Sequence, residues 1–143
     1  MSFSFSHRSG TAGFTLLELL VVLVILGLLA AIATPQVMKY LSRARSQSAA
    51  LQIHNLAAAL DLFRLDIGAY PSQELGLKSL VEAPPNLVTW SGPYVKRPEM
   101  INDPWGHPYI YRIPGEHGDY DLYSLGADNA AGGQGENQDI TNW

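Results

Sequence analysis

The sequence has no cysteine and little charge, with only 15% of its 143 residues being Asp, Glu, Lys or Arg. Without cysteine no disulfide can staple the fold, so a small domain outside the cytoplasm needs another device, and a bound metal ion is the obvious candidate. The net charge of -4 leaves no general electrostatic reason to bind nucleic acid. There is no H-E-x-x-H pair, no nucleophile elbow and no phosphate-binding glycine loop, so the common catalytic frameworks are missing. No internal repeat occurs, and low complexity is confined to a glycine-rich tail. What is present is one long apolar run near the N-terminus, followed by a half that holds most of the 13 glycines and 9 prolines. The length allows one small domain with a modest core.

The apolar run, Phe14 to Thr34, carries a single charge, Glu18. As a helix rising 1.5 Å per residue it spans roughly 31 Å, about one bilayer core. An ordinary secretory signal would be shorter and would end in a small-residue cleavage site. Here the run passes directly into a further helical pattern instead. A carboxylate inside such a span costs a few kcal/mol on insertion scales and marks a functional position. Its partner must come from outside the run. A cut after Gly13 would create one, since the new α-amino group of Phe14 would lie four residues from Glu18 in the same chain, or beside the Glu18 of another.

The segment Gly13-Phe14-Thr15-Leu16-Leu17-Glu18-Leu19 resembles the processing site of type IV pilins and type II secretion pseudopilins. The resemblance implies removal of residues 1–13 by a prepilin peptidase, which also N-methylates Phe14. It further implies that Glu18 recruits each subunit to the N-terminus of its neighbour. The leader carries His7 and Arg8 rather than a run of lysines, and Arg8 still marks the cytoplasmic side.

Pro35 follows about six turns after the expected cut. It reads as a kink at the membrane exit, and the resemblance makes it the place where the helix loosens as subunits pack. Beyond it the helical period resumes. Val37, Leu41, Ala44, Ser48 and Leu51 form one stripe, and Ile53, Leu56, Leu60, Phe63 and Ile67 a second, rotated by roughly 120°. The two stripes read either as one face for neighbouring subunits and one for the globular domain, or as a single broad amphipathic face. Lys39, Arg43 and Arg45 can meet lipid headgroups or acidic subunit surfaces, or stand solvated. Gly68 is a natural helix C-cap with Pro71 behind it.

The C-terminal half predicts a short helix over Leu75–Glu82 before Pro84-Pro85. It also predicts strands over Tyr109–Ile113 and Tyr120–Ser124, joined by the hairpin connection Pro114–Asp119. The expected fold class is α+β, a long N-terminal helix packed on a small antiparallel β-sheet with a glycine-rich C-terminal loop. The expected organisation is a leader over 1–13, an apolar helix over 14–35, its amphipathic continuation over 36–68 and a globular region over 69–143. Asp103-Pro104-Trp105-Gly106 and the run Tyr120 to Asp128 narrow the resemblance to the major pseudopilin family of type II secretion systems. Gly92-Pro93-Tyr94 and Leu65 to Pro71 support the same match, so that it covers nearly the whole mature chain.

The tail offers Asp128, Asn129, Glu136, Asn137 and Asp139 among four glycines and many carbonyls. Hard oxygen donors suit calcium, although the EF-hand spacing is absent and composition alone is equally compatible with a solvated loop. The family resemblance implies a calcium ion (Ca2+) over residues 125–139. Its ligands would be the Leu125 carbonyl, Asp128, Asp139 and further backbone oxygens, with Ala130 expected as one. Asn129 stands where the family often has glycine, and tolerates left-handed backbone. The roles of Glu136 and Asn137 are left open.

His107, His117, Asp119 and Asp121 read as surface turn residues rather than a catalytic or metal site, and Trp90, Trp105 and Trp143 as packing groups. The expectation is therefore a structural subunit and not an enzyme. As the resemblance implies, it sits single-pass in the bacterial inner membrane with its globular domain in the periplasm. It polymerises with itself into a pseudopilus that drives folded proteins across the outer membrane. Expected partners are minor pseudopilins, the prepilin peptidase and the inner-membrane secretion platform. Two rivals share parts of this pattern: a type IV pilin for adhesion or DNA uptake, and a membrane-tethered periplasmic enzyme, which lacks convergent polar groups.

Overall fold

Thr15 starts the first element. Its Oγ1 accepts the backbone N–H of Glu18 at 3.1 Å, and threonine three residues before glutamate is the pattern of a helix N-cap. The helix that follows, α1, runs from Leu16 to Ile67. The computed structural model describes residues 13–143; residues 1–12 of the expected leader, with His7 and Arg8, lie outside the described residues. The chain falls into two compact units that divide after Met38, and α1 contributes to both. Pro35 lies inside α1 without ending it. Thr34 Oγ1 donates to the Ala30 carbonyl at 2.7 Å one turn earlier. The helix stops at Gly68, whose φ of +93° is left-handed and whose N–H bonds the Arg64 carbonyl at 2.7 Å.

In the second unit, three antiparallel strands in the order β1-β2-β3 form one sheet: β1 Ile110–Arg112, β2 Asp121–Ser124 and β3 Ile140–Thr141. Tyr111 faces Leu122 across the first pair, and Ser124 faces Ile140 across the second. The free edge of β1 is closed by a side chain. Gln73 Nε2 donates to the Tyr111 carbonyl at 2.8 Å, and Gln73 Oε1 accepts the Ile113 N–H at 3.0 Å. The amide thus substitutes for a fourth strand and leaves no exposed pairing edge there.

One face of α1 supplies the core wall. Ile53, Leu56, Leu60 and Phe63 are buried against Leu77, Leu80, Val95, Tyr109, Tyr111 and Leu122. The buried tyrosines keep their hydroxyls paired, as buried polar groups must. Tyr109 donates to Gln52 Oε1 at 2.8 Å, and Tyr111 to the Pro71 carbonyl at 2.9 Å. Burial raises both phenols, and raises Tyr120 to about 12. The fold class is the expected one.

Details differ. The segment expected as a helix over Leu75–Glu82 is a 3-10 turn, Gly76–Leu80. Gly76 has a φ of +55°, outside the α-helical region, and Pro84-Pro85 prevents continuation. The two expected strands form, shorter by a residue or two at their ends. β3, two residues directly after the expected loop, is not among the expected elements. Asp121, expected at the surface, is only 2% exposed.

The two helical stripes differ in burial and do not form one broad buried face. Leu56 is wholly buried while Leu51, five residues earlier, is 61% exposed. Truncating Leu56 to alanine is expected to destabilise the folded domain by about 2–5 kcal/mol, whereas Leu51→Ala stays within about 0.5 kcal/mol. Urea titration of both variants checks this, and equal losses would mean that both stripes are core.

Candidate functional site: the exposed helix and the C-terminal loop

Every side chain from Gly13 through Leu41 is exposed. The first unit therefore presents Leu16, Leu17, Leu23 and Leu28 exposed, with no cover from the described residues. A helix apolar all round and unburied needs lipid or other helices as its solvent, and α1 is long and apolar enough to cross a membrane. Phe14 and Glu18 both lie at its exposed start. Gly13, just before, has open space where a Cβ would stand.

Two buried carboxylates that sequence reasoning did not single out as supports hold the connections on either side of β2. Asp103, from the Asp-Pro-Trp-Gly block, accepts the N–H groups of Trp105 and His107 on Oδ1 at 3.0 and 2.8 Å. Its Oδ2 accepts the Ser124 hydroxyl at 2.6 Å, and Ser124 Oγ in turn accepts the Gly126 N–H at 3.1 Å. This relay fixes the start of the loop. Asp121 organises the β1–β2 connection in the same way. It accepts the N–H groups of Glu116 at 2.9 Å and His117 at 3.1 Å, with His117 Nδ1 at 3.1 Å. The His117 ring stacks on Trp143 at 4.0 Å between centroids. Trp143 is half exposed, so it covers the hairpin rather than joining the core.

Within the loop, Glu136 is a tether. Its Oε1 accepts Trp105 Nε1 at 2.8 Å and Arg45 at 3.2 Å, joining the loop to both the Asp103 turn and α1. The backbone closes on itself through Ala127 N–H to the Glu136 carbonyl at 2.9 Å. Gly126, at φ +72°, packs so closely on Asn137 and Glu136 that a Cβ would stand 2.8 Å from the Glu136 carbonyl oxygen. Asn129 has a φ of +52°, the left-handed backbone expected of it.

Of the expected ligands, Asp128 Oδ1 accepts the Ala130 N–H at 3.2 Å, and Asp139 Oδ2 accepts the Gly132 N–H at 2.9 Å. Asp139 Oδ1 is buried and has no hydrogen-bond partner. Among the described residues no three His, Cys, Asp or Glu gather into a cluster. A cation here would accordingly draw on two carboxylates and on carbonyls such as those of Leu125 and Ala130. That donor set is hard and all-oxygen, and an orphaned buried carboxylate oxygen is costly unless something satisfies it, so the residues fit calcium. Glu136 Oε1 is spent on its tether. His107, His117 and Asp119 assemble no second centre among the described residues.

Comparisons with known proteins add to this picture. The model of type II secretion system protein G matches residues 36–143, and that of the prokaryotic N-terminal methylation motif matches residues 8–34. The chain is 47% identical to the type II secretion system core protein G of Pseudomonas aeruginosa, over 96% of this chain and 98% of that protein. It is 46% identical to the Escherichia coli protein of the same name, over 92% and 90%. The crystal structure of the major pseudopilin from the type 2 secretion system of enterohaemorrhagic E. coli superposes with a TM-score of 0.58 at 32% identity, covering 74% of this chain and 92% of that one.

Burial alone raises the Asp121 carboxyl, and the amide of Glu116 with the ring and amide of His117 more than offset it, so that the group sits below its ordinary range. A depressed carboxyl contributes stability that is present above the unfolded value, about 3.9, and lost as pH falls through the folded one. The stability difference between the parent and Asp121→Asn should hold steady above about pH 5 and shrink below about pH 4. Denaturant titrations across that range measure it, and a difference unchanged down to about pH 2 would contradict the assignment.

Proposed function

The chain belongs to the protein G family of the type II secretion system, and we propose that it serves as the major pseudopilin, anchored in the inner membrane with its globular unit in the periplasm. Membership makes it a structural subunit of the pseudopilus. The finer reading adds that a prepilin peptidase cleaves between Gly13 and Phe14 and methylates the new amine. Subunits then leave the membrane and stack, with minor pseudopilins and the inner-membrane platform as partners, and the growing fibre pushes folded proteins outward. The observation that carries this reading is the wholly exposed apolar start of α1, interrupted by one carboxylate at Glu18.

The physical logic is an exchange of solvents. In lipid, apolar helices gain little from one another, so association relies on close packing and on polar pairs. Glu18 and the Phe14 amine form such a pair, and satisfying it on a neighbouring subunit sets the stagger. Glu18→Ala is expected to leave membrane insertion intact and abolish fibres. Membrane fractionation together with electron microscopy of sheared material tests this, and fibres at parental yield from the variant would overturn the pairing.

The C-terminal loop is read as a calcium site formed by Asp128, Asp139 and the carbonyls of Leu125 and Ala130. The orphaned Asp139 oxygen supports it. When bound, the ion supplies charge neutralisation and coordination that the loop cannot find in an apolar core. Saturating calcium should stabilise residues 39–143 by about 3–4 kcal/mol when it exceeds Kd by a hundred- to a thousandfold. The rise in Tm should vanish with chelator and in Asp128→Ala and Asp139→Ala. Identical melts with calcium and with chelator would remove the site and leave the pseudopilin reading standing.

A further inference from the structure

Between Leu19 and Leu60 the chain holds no Asp or Glu, yet Lys39, Arg43 and Arg45 follow one another within about two turns of α1. For a chain of net charge -4 this is a local reversal of sign. Arg45 is already engaged by Glu136. Lys39 and Arg43 are exposed and form no ion pair among the described residues.

These two cations stand four residues apart and share a face. At 100° per residue that face lies about 100° from the buried stripe of Ile53, Leu56, Leu60 and Phe63, and roughly 140° from the exposed stripe of Val37, Leu41 and Leu51. It therefore belongs neither to the core nor to the apolar face offered to other helices. Tyr40, 64% exposed, stands between the cations and the apolar stripe. Tyrosine beside lysine and arginine at the end of an apolar helix is the composition of a membrane interface.

The axial position agrees. Lys39 and Arg43 come five and nine residues after Thr34, the end of the apolar run, or roughly 7 and 13 Å along a helix. A headgroup layer is about 5–7 Å thick on each side of the core. Helical side chains lean towards the N-terminus, here towards the apolar run, and the long stems of Lys and Arg extend that reach.

We infer that Lys39, Tyr40 and Arg43 form a binding face for anionic phospholipid headgroups, which holds the unassembled subunit at a set depth in the membrane. The inference rests on the membrane-anchored reading above. An acidic patch on a second copy is the competing partner for the same charges. The lipid is favoured because the face adjoins the apolar run and turns away from the exposed apolar stripe.

The test uses the full chain in nanodiscs of equal zwitterionic and anionic phospholipid, released into mild detergent, with retained lipid identified by native mass spectrometry. Anionic lipid should be enriched roughly fivefold for each cation, and the enrichment should fall as salt is raised. Lys39→Gln with Arg43→Gln should return the ratio to that of the input, while the exchange Lys39→Arg with Arg43→Lys should preserve it. A double glutamine variant that retains anionic lipid like the parent would overturn the inference. So would one that keeps the lipid but loses crosslinked subunit pairs, which would assign the cations to a second copy. Failure of the parent to enter nanodiscs would overturn the anchored reading and this inference with it. Glu18→Ala should keep its anionic lipid, so loss of fibre assembly and loss of lipid are read separately.

Discussion

Everything in the globular unit depends on one face of α1. Strands of three, four and two residues cannot enclose a core by themselves. Ile53, Leu56, Leu60 and Phe63 provide the missing wall, and the sheet, the 3-10 turn Gly76–Leu80 and Val95 close over it. The sheet needs the helix to bury Tyr109, Tyr111 and Leu122. The helix in turn needs the sheet to cover four large apolar side chains.

That arrangement leaves long connections with little regular structure, and no disulfide to restrain them. Side-chain hydrogen bonding takes over. Gln73 completes the edge of β1, Asp103 ties its own turn to Ser124 and Gly126, and Asp121 gathers the amides of the hairpin. Glu136 joins the C-terminal loop to Trp105 and Arg45. Buried carboxylates suit this work because they accept several N–H groups at once, and such charge-assisted bonds are stronger than neutral ones. Asp139 Oδ1, which with His107 Nδ1 is one of two buried side-chain atoms left without a partner among the described residues, lies in a segment that has no core of its own.

The same helix carries three faces of different character. The buried stripe meets the sheet. The exposed apolar stripe, with Leu62 and Leu65 continuing it, is left for other apolar surface. The cationic face of Lys39 and Arg43 follows the apolar run and forms no ion pair among the described residues.

Periodicity made α1 and its two stripes legible, because burial in a helix repeats every 3.6 residues and the apolar run is too long for a core of this size. Glu18 was legible as the lone charge in an apolar span, and the N-terminal methylation motif that matches residues 8–34 was legible by resemblance. The hairpin was legible from its turn residues. The division of the stripes into core and surface was legible only as one of two alternatives, because period alone does not say which face meets protein. The third strand, whose two residues are too short for any pattern, could not be read, nor could the buried role of Asp121, which alternation cannot distinguish from a surface carboxylate. The tethering by Asp103 and Glu136 joins residues far apart in the chain, and sequence spacing holds no information on such distances. By itself the sequence determined the long helix, its exposed apolar start and the family of the chain, all of which follow from local pattern. Only the tertiary structure decided which carboxylates are supports, which oxygen is left without a partner, and which face of the helix remains free, since each of these depends on what the folded chain places alongside.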